Sequence, residues 1–186
     1  MRADKALTPL AGQPLIAHVA ARLRPQVDFL IVNANGDAAR FAGLGAPVVA
    51  DLDPLAFAGP LAGIAAAMAF AQAQGATLLA TAPCDAPFLP ADLVARLRRG
   101  MDAAGAPAAV ARYAGELEPM FCLWSAALTA QIGAALAQGE ASPRGLLARC
   151  GATIVDFEAA EGGNPFDNIN DADGLAAAEA RLARAR

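Results

Sequence analysis

The chain has 186 residues, 56% of them hydrophobic, and a formal net charge of −4 at pH 7. This length favours a single domain with a full core, and the negative charge argues against a nucleic-acid-binding surface, which is usually basic. Its three cysteines are far apart and lack C-x-x-C spacing. They exclude a disulfide framework, offer no zinc site and indicate a reducing compartment, the cytoplasm.

The first segment reads as a loop followed by a helix. Asp4 and Lys5 have no strand and no glycine turn before them, and Pro14 marks the start of a helix with one apolar face. His18 lies on this helix and is expected to be structural. Because an α/β chain normally opens on a strand, we expect either a different arrangement or a first strand that is missing from this sequence.

Strands and helices then alternate along the chain. Strands are predicted over 28–35, 46–51, 76–85, 106–113, 120–125 and 152–157, and helices over 59–75, 89–105, 125–138, 142–149 and from about Asp171. Strands that are apolar on both faces are typical of a mostly parallel sheet. We therefore predict an α/β fold with helices on both faces of such a sheet.

The uncharged run over 54–73 raises the question of a membrane span. The run contains Gly59, Pro60, Gly63 and Gln72, is mostly alanine, and follows Asp53 instead of a basic residue. These features favour a core helix over a transmembrane helix.

Polar residues follow three of the predicted strands. Asn33 and Asn35 end the first, Asp51 ends the second and Asp85 ends the third. In open parallel sheets ligands bind beyond the carboxyl ends of the strands. These four residues are therefore the candidates for a binding site.

Asp85 is the strongest single candidate. It follows an uncharged run and lies between Pro83 and Pro87, which stiffen the turn. Mg²⁺ is commonly held by one or two carboxylates together with substrate phosphates. The alternative is a helix N-cap, but Pro87 and Pro90 place the next helix start later, so metal binding is favoured.

The remaining candidates are less specific. Asp51 is interpreted as a contact to a base or ribose or as a turn residue, with Asp53 as a competing choice, and Lys5 is interpreted as a phosphate contact. The G-P-L-A-G turn at 59–63 places a helix N-terminus where an anion could bind, although such turns are common. With no serine or cysteine nucleophile pattern, phosphoryl or nucleotidyl transfer fits best, since it relies on positioning and charge.

Five segments taken in order resemble one enzyme family over nearly the whole chain. D-K-A-L, V-N-A-N, G-P-L-A-G-I, P-C-D-A-P-F-L-P and the late N-I-N resemble the molybdenum cofactor guanylyltransferases. The resemblance implies one Rossmann-like nucleotidyltransferase domain over residues 1–186, in three layers. It also implies an enzyme that transfers GMP from GTP to molybdenum-molybdopterin, releasing pyrophosphate and forming the guanine dinucleotide cofactor.

The same resemblance implies roles for individual residues. Lys5 and Asp85 would be catalytic, GTP would be bound by these two with Asn33 and Asp51, and Asp85 would hold the Mg²⁺ cofactor. The segments on the pterin side would contribute Glu118, Pro119, Arg144, Asn168 and Asn170.

The implied partners are GTP, molybdenum-molybdopterin and, transiently, molybdopterin-carrying proteins and recipient molybdoenzymes. A cytoplasmic monomer without nucleic-acid or membrane contacts is expected. The alternatives are a CTP-dependent molybdopterin cytidylyltransferase and a non-catalytic nucleotide-binding relative.

The chain departs from the family pattern at its beginning. The family opens with a strand and a loop of the form L-A-G-G-x-x-x-R-M-G-x-D-K, whose glycine amides hold the triphosphate, and Met1 falls near the methionine of that loop. We therefore expect the natural protein to be longer and the present chain to be poorly soluble and inactive. We also expect a gap one strand wide between 28–33 or 46–51 on one side and 76–82 on the other.

Overall fold

The computed structural model describes residues 4–52, 59–159 and 163–184. The strands in these ranges are β1 (Pro9–Leu10), β2 (Gln13–Pro14), β3 (Val32–Asn33), β4 (Val48–Val49), β5 (Leu78–Thr81), β6 (Ala108–Tyr113), β7 (Glu116–Ser125) and β8 (Thr153–Phe157). The α-helices are α1 (Leu15–Leu23), α2 (Pro60–Ala73), α3 (Leu93–Ala104), α4 (Thr129–Ala137), α5 (Pro143–Arg149) and α6 (Ala172–Arg184).

The N-terminal segment is more ordered than the sequence indicates. Lys5–Leu7 forms a single 3₁₀ turn, and the Asp4 carboxylate caps this turn by accepting a hydrogen bond from the Ala6 N–H at 3.1 Å. Strands β1 and β2 then form a tight hairpin that the sequence analysis did not predict. The His18 ring donates from Nε2 to the carbonyl of Leu10 at 2.8 Å, which confirms the expected structural role of this histidine.

The strands form a mixed sheet arrangement. Four strands lie in the order β5-β7-β6-β8, and β3 and β4 form a separate parallel pair. Within the larger sheet β7 is antiparallel to both neighbours, whereas β6 and β8 are parallel. Strand β7 reverses because Ala114 and Gly115, with φ of 48° and 88°, link it to β6 in a tight turn.

Helices cover both faces of the four-stranded sheet. Leu61 and Met68 of α2 pack with Ile132 of α4 against Trp124 on one face. On the other face α1 and α3 pack against different residues of the same strands, with Phe121 at the centre. The predicted three-layer α/β architecture is therefore confirmed.

Several predicted boundaries differ from the observed ones. The strands predicted over 28–35 and 46–51 pair through only two residues each, and α3 begins at Leu93 instead of near residue 89. Helix α2 begins at Pro60 as predicted, and Gly75 follows its end with φ of 81°. Among the described residues no helix has the length and apolarity needed to cross a bilayer.

A groove of 710 Å³ separates the two sheets. Its apolar walls come from α1, α2 and the two facing strands, and they include Val19, Leu23, Ile31, Ile64, Ala67 and Leu79. Among the described residues, no strand pairs with both β3 and β5 to join the two sheets. The groove lies between the segments for which the sequence analysis predicts a gap one strand wide.

The two edges that border the groove run in the same direction. Ala34 follows β3, Cys84 follows β5, and both pack into one apolar cluster with Ala6 and Phe41. The carboxyl ends of β3 and β5 therefore lie at the same end of the groove. The polar side chains that follow these strands meet there.

Candidate active site

Three polar residues from distant parts of the chain meet at Asp85. Lys5 Nζ lies 2.5 Å from Asp85 Oδ2 and also donates to the side-chain oxygen of Asn170. Asp85 is only 9% exposed, so a cationic partner offsets the cost of desolvating its carboxylate. The Ile169 N–H donates to the Asp85 carbonyl at 2.9 Å, and this bond holds the N-I-N segment against the turn after β5.

A second group, the amide clasp, consists of Asn33, Asn35 and Asp51. The Asn33 carboxamide donates to one Asp51 oxygen at 2.8 Å, and the Asn35 carboxamide donates to the other at 2.9 Å. The Asp51 backbone N–H donates in turn to Asn35 Oδ1 at 2.9 Å. The two predicted asparagines therefore serve to orient the predicted aspartate.

Helix α2 approaches the amide clasp very closely. A Cβ added at Gly63 would lie 2.2 Å from Asn33 Oδ1 and 3.4 Å from Asp51 Oδ1. Contacts near 2 Å are far inside van der Waals distance, so the absence of a side chain at Gly63 lets the carboxamide adopt its position. The second glycine of the G-P-L-A-G turn thus has a steric role.

The first glycine of that turn prepares the start of α2 and not an anion site. Pro60 has no N–H, the Leu61 N–H donates to the Ala141 carbonyl at 3.1 Å, and the Ala62 N–H donates to the Gly59 carbonyl at 3.1 Å. The first amides of the helix therefore already have partners. The expectation of an anion at this helix N-terminus gains no support from the geometry.

The Asp85 group and the amide clasp each contribute one residue to the same groove. Asn33 and Asp85 both line the groove between the sheets. The Cys84 thiol lies beside them, and burial, reinforced by the negative charge of Asp85, raises its pKa to about 11. A thiol with such a high pKa is a poor nucleophile at neutral pH.

Glu118, Arg144 and Asp167 form a third polar group. Burial and the charge of Asp167 raise the pKa of Glu118, and Arg144 acts in the opposite direction. Arg144 also donates to the Leu117 carbonyl at 3.4 Å. Glu118 pairs with Ala111 of β6. The next pair joins Cys122 to Val110, so the regular pairing is interrupted over residues 119–121 of β7.

The other two predicted pterin-side residues have backbone contacts. Pro119 lies in the irregular part of β7, where its carbonyl accepts from the Cys122 thiol at 3.2 Å. Asn168 is exposed, and its carbonyl accepts from the Asn170 side chain at 3.3 Å. Asp53, the competing choice to Asp51, lies outside the described residues.

Sequence reasoning missed Asp4 and Arg40. Asp4 precedes the Lys5 turn, and an aspartate directly before a helical turn is an N-cap signal that could have identified it. Arg40 forms an ion pair with Asp4 at 2.6 Å. It lies in the 3₁₀ segment Ala38–Leu44, which carries no motif, so the sequence carried no signal for it.

The arrangement combines two kinds of recognition at one opening. A buried carboxylate with a lysine suits phosphate and metal chemistry, and an oriented carboxylate beside amides suits the hydroxyl and N–H groups of a nucleoside. Their proximity suits a nucleotide.

Solved structures show the class of fold. Molybdopterin-guanine dinucleotide biosynthesis protein A from Archaeoglobus fulgidus superimposes with a TM-score of 0.73 at 22% identity, covering 97% of this chain and 91% of that one. The 2-C-methyl-D-erythritol 4-phosphate cytidylyltransferase from Thermus thermophilus gives a TM-score of 0.66 at 23% identity, with coverages of 97% and 94%. The fold is therefore that of nucleotidyltransferases, as predicted.

Sequence comparison then shows the family. The model of the MobA-like NTP transferase domain matches residues 1–154. A relative from Cereibacter sphaeroides named molybdenum cofactor guanylyltransferase is 45% identical over 96% of this chain and 88% of its own length. A relative of the same name from Burkholderia ambifaria is 45% identical over 83% and 78%. The chain belongs to the MobA-like NTP transferase family, which confirms the resemblance drawn from its motifs.

Proposed function

We propose that the protein transfers GMP from GTP to molybdenum-molybdopterin and releases pyrophosphate. The observation that carries this proposal is the Lys5–Asp85–Asn170 group beside the amide clasp, in a chain 45% identical to relatives named molybdenum cofactor guanylyltransferase. In this reaction the terminal phosphate of molybdopterin forms a bond to the α-phosphorus of GTP. The bond between the α-phosphorus and the pyrophosphate oxygen breaks, and pyrophosphate leaves.

Lys5 would stabilise negative charge on the phosphates. Its ammonium lies between the Asp85 and Asn170 side chains, so it is already oriented before a nucleotide arrives. Charge-assisted hydrogen bonds from an oriented ammonium to phosphate oxygens are strong and need little reorganisation. The predicted phosphate contact of Lys5 is in keeping with this position.

Asp85 would hold Mg²⁺, since its carboxylate offers the hard oxygen atoms that this ion prefers. Asn170 would lie toward the pterin substrate. Within the described ranges no three or more His, Cys, Asp or Glu residues cluster as a metal site, which suits an ion whose remaining ligands come from phosphates and water. When bound, Mg²⁺ neutralises phosphate charge.

The amide clasp would hold the nucleoside. Asp51 is kept in one orientation by two carboxamides, and an oriented carboxylate can accept hydrogen bonds from the ribose hydroxyls or from the N–H groups of guanine. Glu118, Pro119, Arg144 and Asn168 would lie toward the pterin substrate. A cytoplasmic location follows from this assignment.

The test incubates the protein with molybdenum-molybdopterin, Mg²⁺ and either GTP or CTP. Under the proposed function, GTP alone gives pyrophosphate and a guanine dinucleotide, detected by mass spectrometry, and this result would contradict the expectation from the family pattern that the 186-residue chain is inactive. A cytidine product would instead identify a cytidylyltransferase. Mg²⁺-dependent GTP binding by calorimetry without any product would identify a non-catalytic nucleotide-binding relative.

A further inference from the structure

Arg40 connects two parts of the candidate site. It lies in the 3₁₀ segment Ala38–Leu44, and its guanidinium donates to three acceptors. Nη1 donates to the Asp4 carboxylate at 2.6 Å, Nη2 donates to the Asn35 carbonyl, and Nε donates to the Asp37 carbonyl at 2.9 Å. One side chain thus links the N-terminal segment to the loop after β3.

Two of the three partners of Arg40, Asp4 and Asn35, also help to position residues of the candidate site. The second Asp4 oxygen caps the 3₁₀ turn that carries Lys5. The Asn35 side chain bonds Asp51 through its amide and its oxygen. A continuous chain of hydrogen bonds therefore runs from the Lys5 turn through Arg40 to Asp51.

The guanidinium suits this task better than other cations would. It presents five donors in a rigid plane, so it can bond a carboxylate and two carbonyls at once, whereas an ammonium is a compact point charge on a flexible stem. The Arg40 and Asp4 side chains are 32% and 31% exposed, and the Arg40 guanidinium carbon lies 4.9 Å from the centroid of the Phe41 ring. These contacts restrict its rotamers.

We propose that Arg40 is a positioning residue that fixes the Lys5 turn relative to the amide clasp, so that the phosphates and the nucleoside of one nucleotide are bound at the same time. This inference rests on the proposed nucleotide-binding function. Arg40 itself acts through Asp4 and Asn35. When two half-sites are held at a fixed separation, binding of one half of a ligand raises the effective concentration of the other half.

The experiment compares Arg40→Ala and Arg40→Lys with Arg112→Ala. Arg112 forms an exposed ion pair with Asp156, does not line the groove, and serves as the matched control. Affinities are measured by calorimetry or NMR for Mg-GTP, for guanosine and for Mg-tripolyphosphate. In both Arg40 variants Mg-GTP affinity should fall about tenfold, the order expected when a linkage between half-sites is loosened. The affinities for guanosine and tripolyphosphate should stay within twofold of the parent.

Three results would overturn the proposal. Equal losses for the whole nucleotide and its fragments would show that Arg40 merely maintains local structure. Unchanged GTP affinity in Arg40→Ala would remove its role, and parental affinity in Arg40→Lys would show that charge without the planar fork is sufficient. Phe41 packs with Ala6, so the fold should survive in each variant, as circular dichroism would verify.

A second measurement separates this proposal from the proposed function. Amide hydrogen exchange in the nucleotide-free protein should show faster exchange at Ala6 and at Asp51 together in Arg40→Ala, and at neither in Arg112→Ala. If the parent binds no GTP but this paired change appears, the coupling stands and the proposed function fails. If only one of the two amides responds, the coupling fails whatever the protein binds.

Discussion

Asp51 follows β4 and Asp85 follows β5, but the groups that surround the two carboxylates differ. Asp85 is 9% exposed and paired with the Lys5 ammonium, whereas Asp51 is half-exposed and held by two neutral carboxamides. A carboxylate already paired with a cation is suited to a site where phosphate and metal charges are exchanged. A carboxylate oriented by amides keeps its acceptor capacity for the neutral donors of a nucleoside. Under the proposed function, the Asp85 group would therefore balance charge and the amide clasp would recognise the nucleoside.

Removing the Asp85 charge should have the largest effect. Asp85→Asn keeps the shape of the side chain, so we expect guanylyl transfer to fall about 10²–10³-fold, as for other preorganised electrostatic groups, with the fold intact. Initial rates and thermal unfolding would be measured side by side. Asp156→Asn, at an exposed carboxylate paired with Arg112, is the control. Parental activity in Asp85→Asn would remove this carboxylate from the reaction.

A methyl group at Gly63 should disturb the amide clasp around Asp51. Gly63→Ala forces the Asn33 carboxamide away from its position 2.2 Å from the new Cβ, so the KM for GTP should rise about tenfold or more, since misplacements near 1 Å can cost up to 100-fold. Steady-state kinetics with varied GTP would measure it.

Gly133→Ala is the matched control for this substitution. Gly133 lies within α4, and an added Cβ there meets no described atom within 4 Å. Because alanine is favoured over glycine in a helix by about 1 kcal/mol, this variant should be slightly stabilised and kinetically normal. Equal kinetics for the two variants would contradict the steric role of Gly63.

Loss of the Lys5 side chain should separate the two substrates. In Lys5→Ala we expect the KM for GTP to rise about tenfold, the order of one charge-assisted hydrogen bond, with a much smaller change in the KM for the pterin. Varying each substrate at saturation of the other gives both values. A change confined to the pterin would move Lys5 to the other substrate.

The Cys84 thiol should report the Asp85 charge with the smallest effect. Burial is the main cause of its raised pKa of about 11, and the Asp85 carboxylate adds to it. Alkylation by iodoacetamide at pH 8, followed by peptide mass spectrometry, should therefore be slow in the parent and faster in Asp85→Asn. An unchanged alkylation rate would show that the charge does not reach this thiol.

The same pKa also sets a pH dependence of stability. The folded-state pKa lies above the ordinary value of 9.0, so the folded protein keeps the proton longer than the unfolded chain does. The contribution of Cys84 to stability is therefore complete below pH 9 and is lost as the pH rises through about 11. Denaturant titrations of the parent and Cys84→Ser between pH 8 and 11 would measure it.

Much of the fold and part of the site could be predicted because the signals are local. Pro60 and Gly75 bracket α2 as expected, and Asp85 follows a strand and lies beside Lys5. The bounds of α2 and the position of Asp85 needed only hydrophobic patterns, turn residues and the rule that ligands bind at the carboxyl ends of strands, whereas the grouping of Lys5 with Asp85 came from the family resemblance.

The parts that failed depend on one turn without a sequence signal and on contacts between distant positions. The reversal of β7 follows from a tight turn at Ala114, a residue whose positive φ no local pattern indicates. The contact between Gly63 and Asn33 spans thirty positions, and the Arg40–Asp4 pair joins segments that are 36 positions apart. Such contacts are set by packing and not by spacing, so the sequence alone could not identify them.

The groove between β3 and β5 also has a consequence for cooperativity. Backbone hydrogen bonds do not cross it within the described residues, so the β3–β4 pair and the four-stranded sheet form separate ladders, and helix α2 contacts strands of both. Separate ladders of this kind can open independently. The β3–β4 pair has only two residue pairs, so its amides should exchange at a lower free energy of opening than those of the four-stranded sheet. A nucleotide that contacts Asn33 and Asp85 would bind both units at once. Part of its binding energy would then couple the unfolding of the two units.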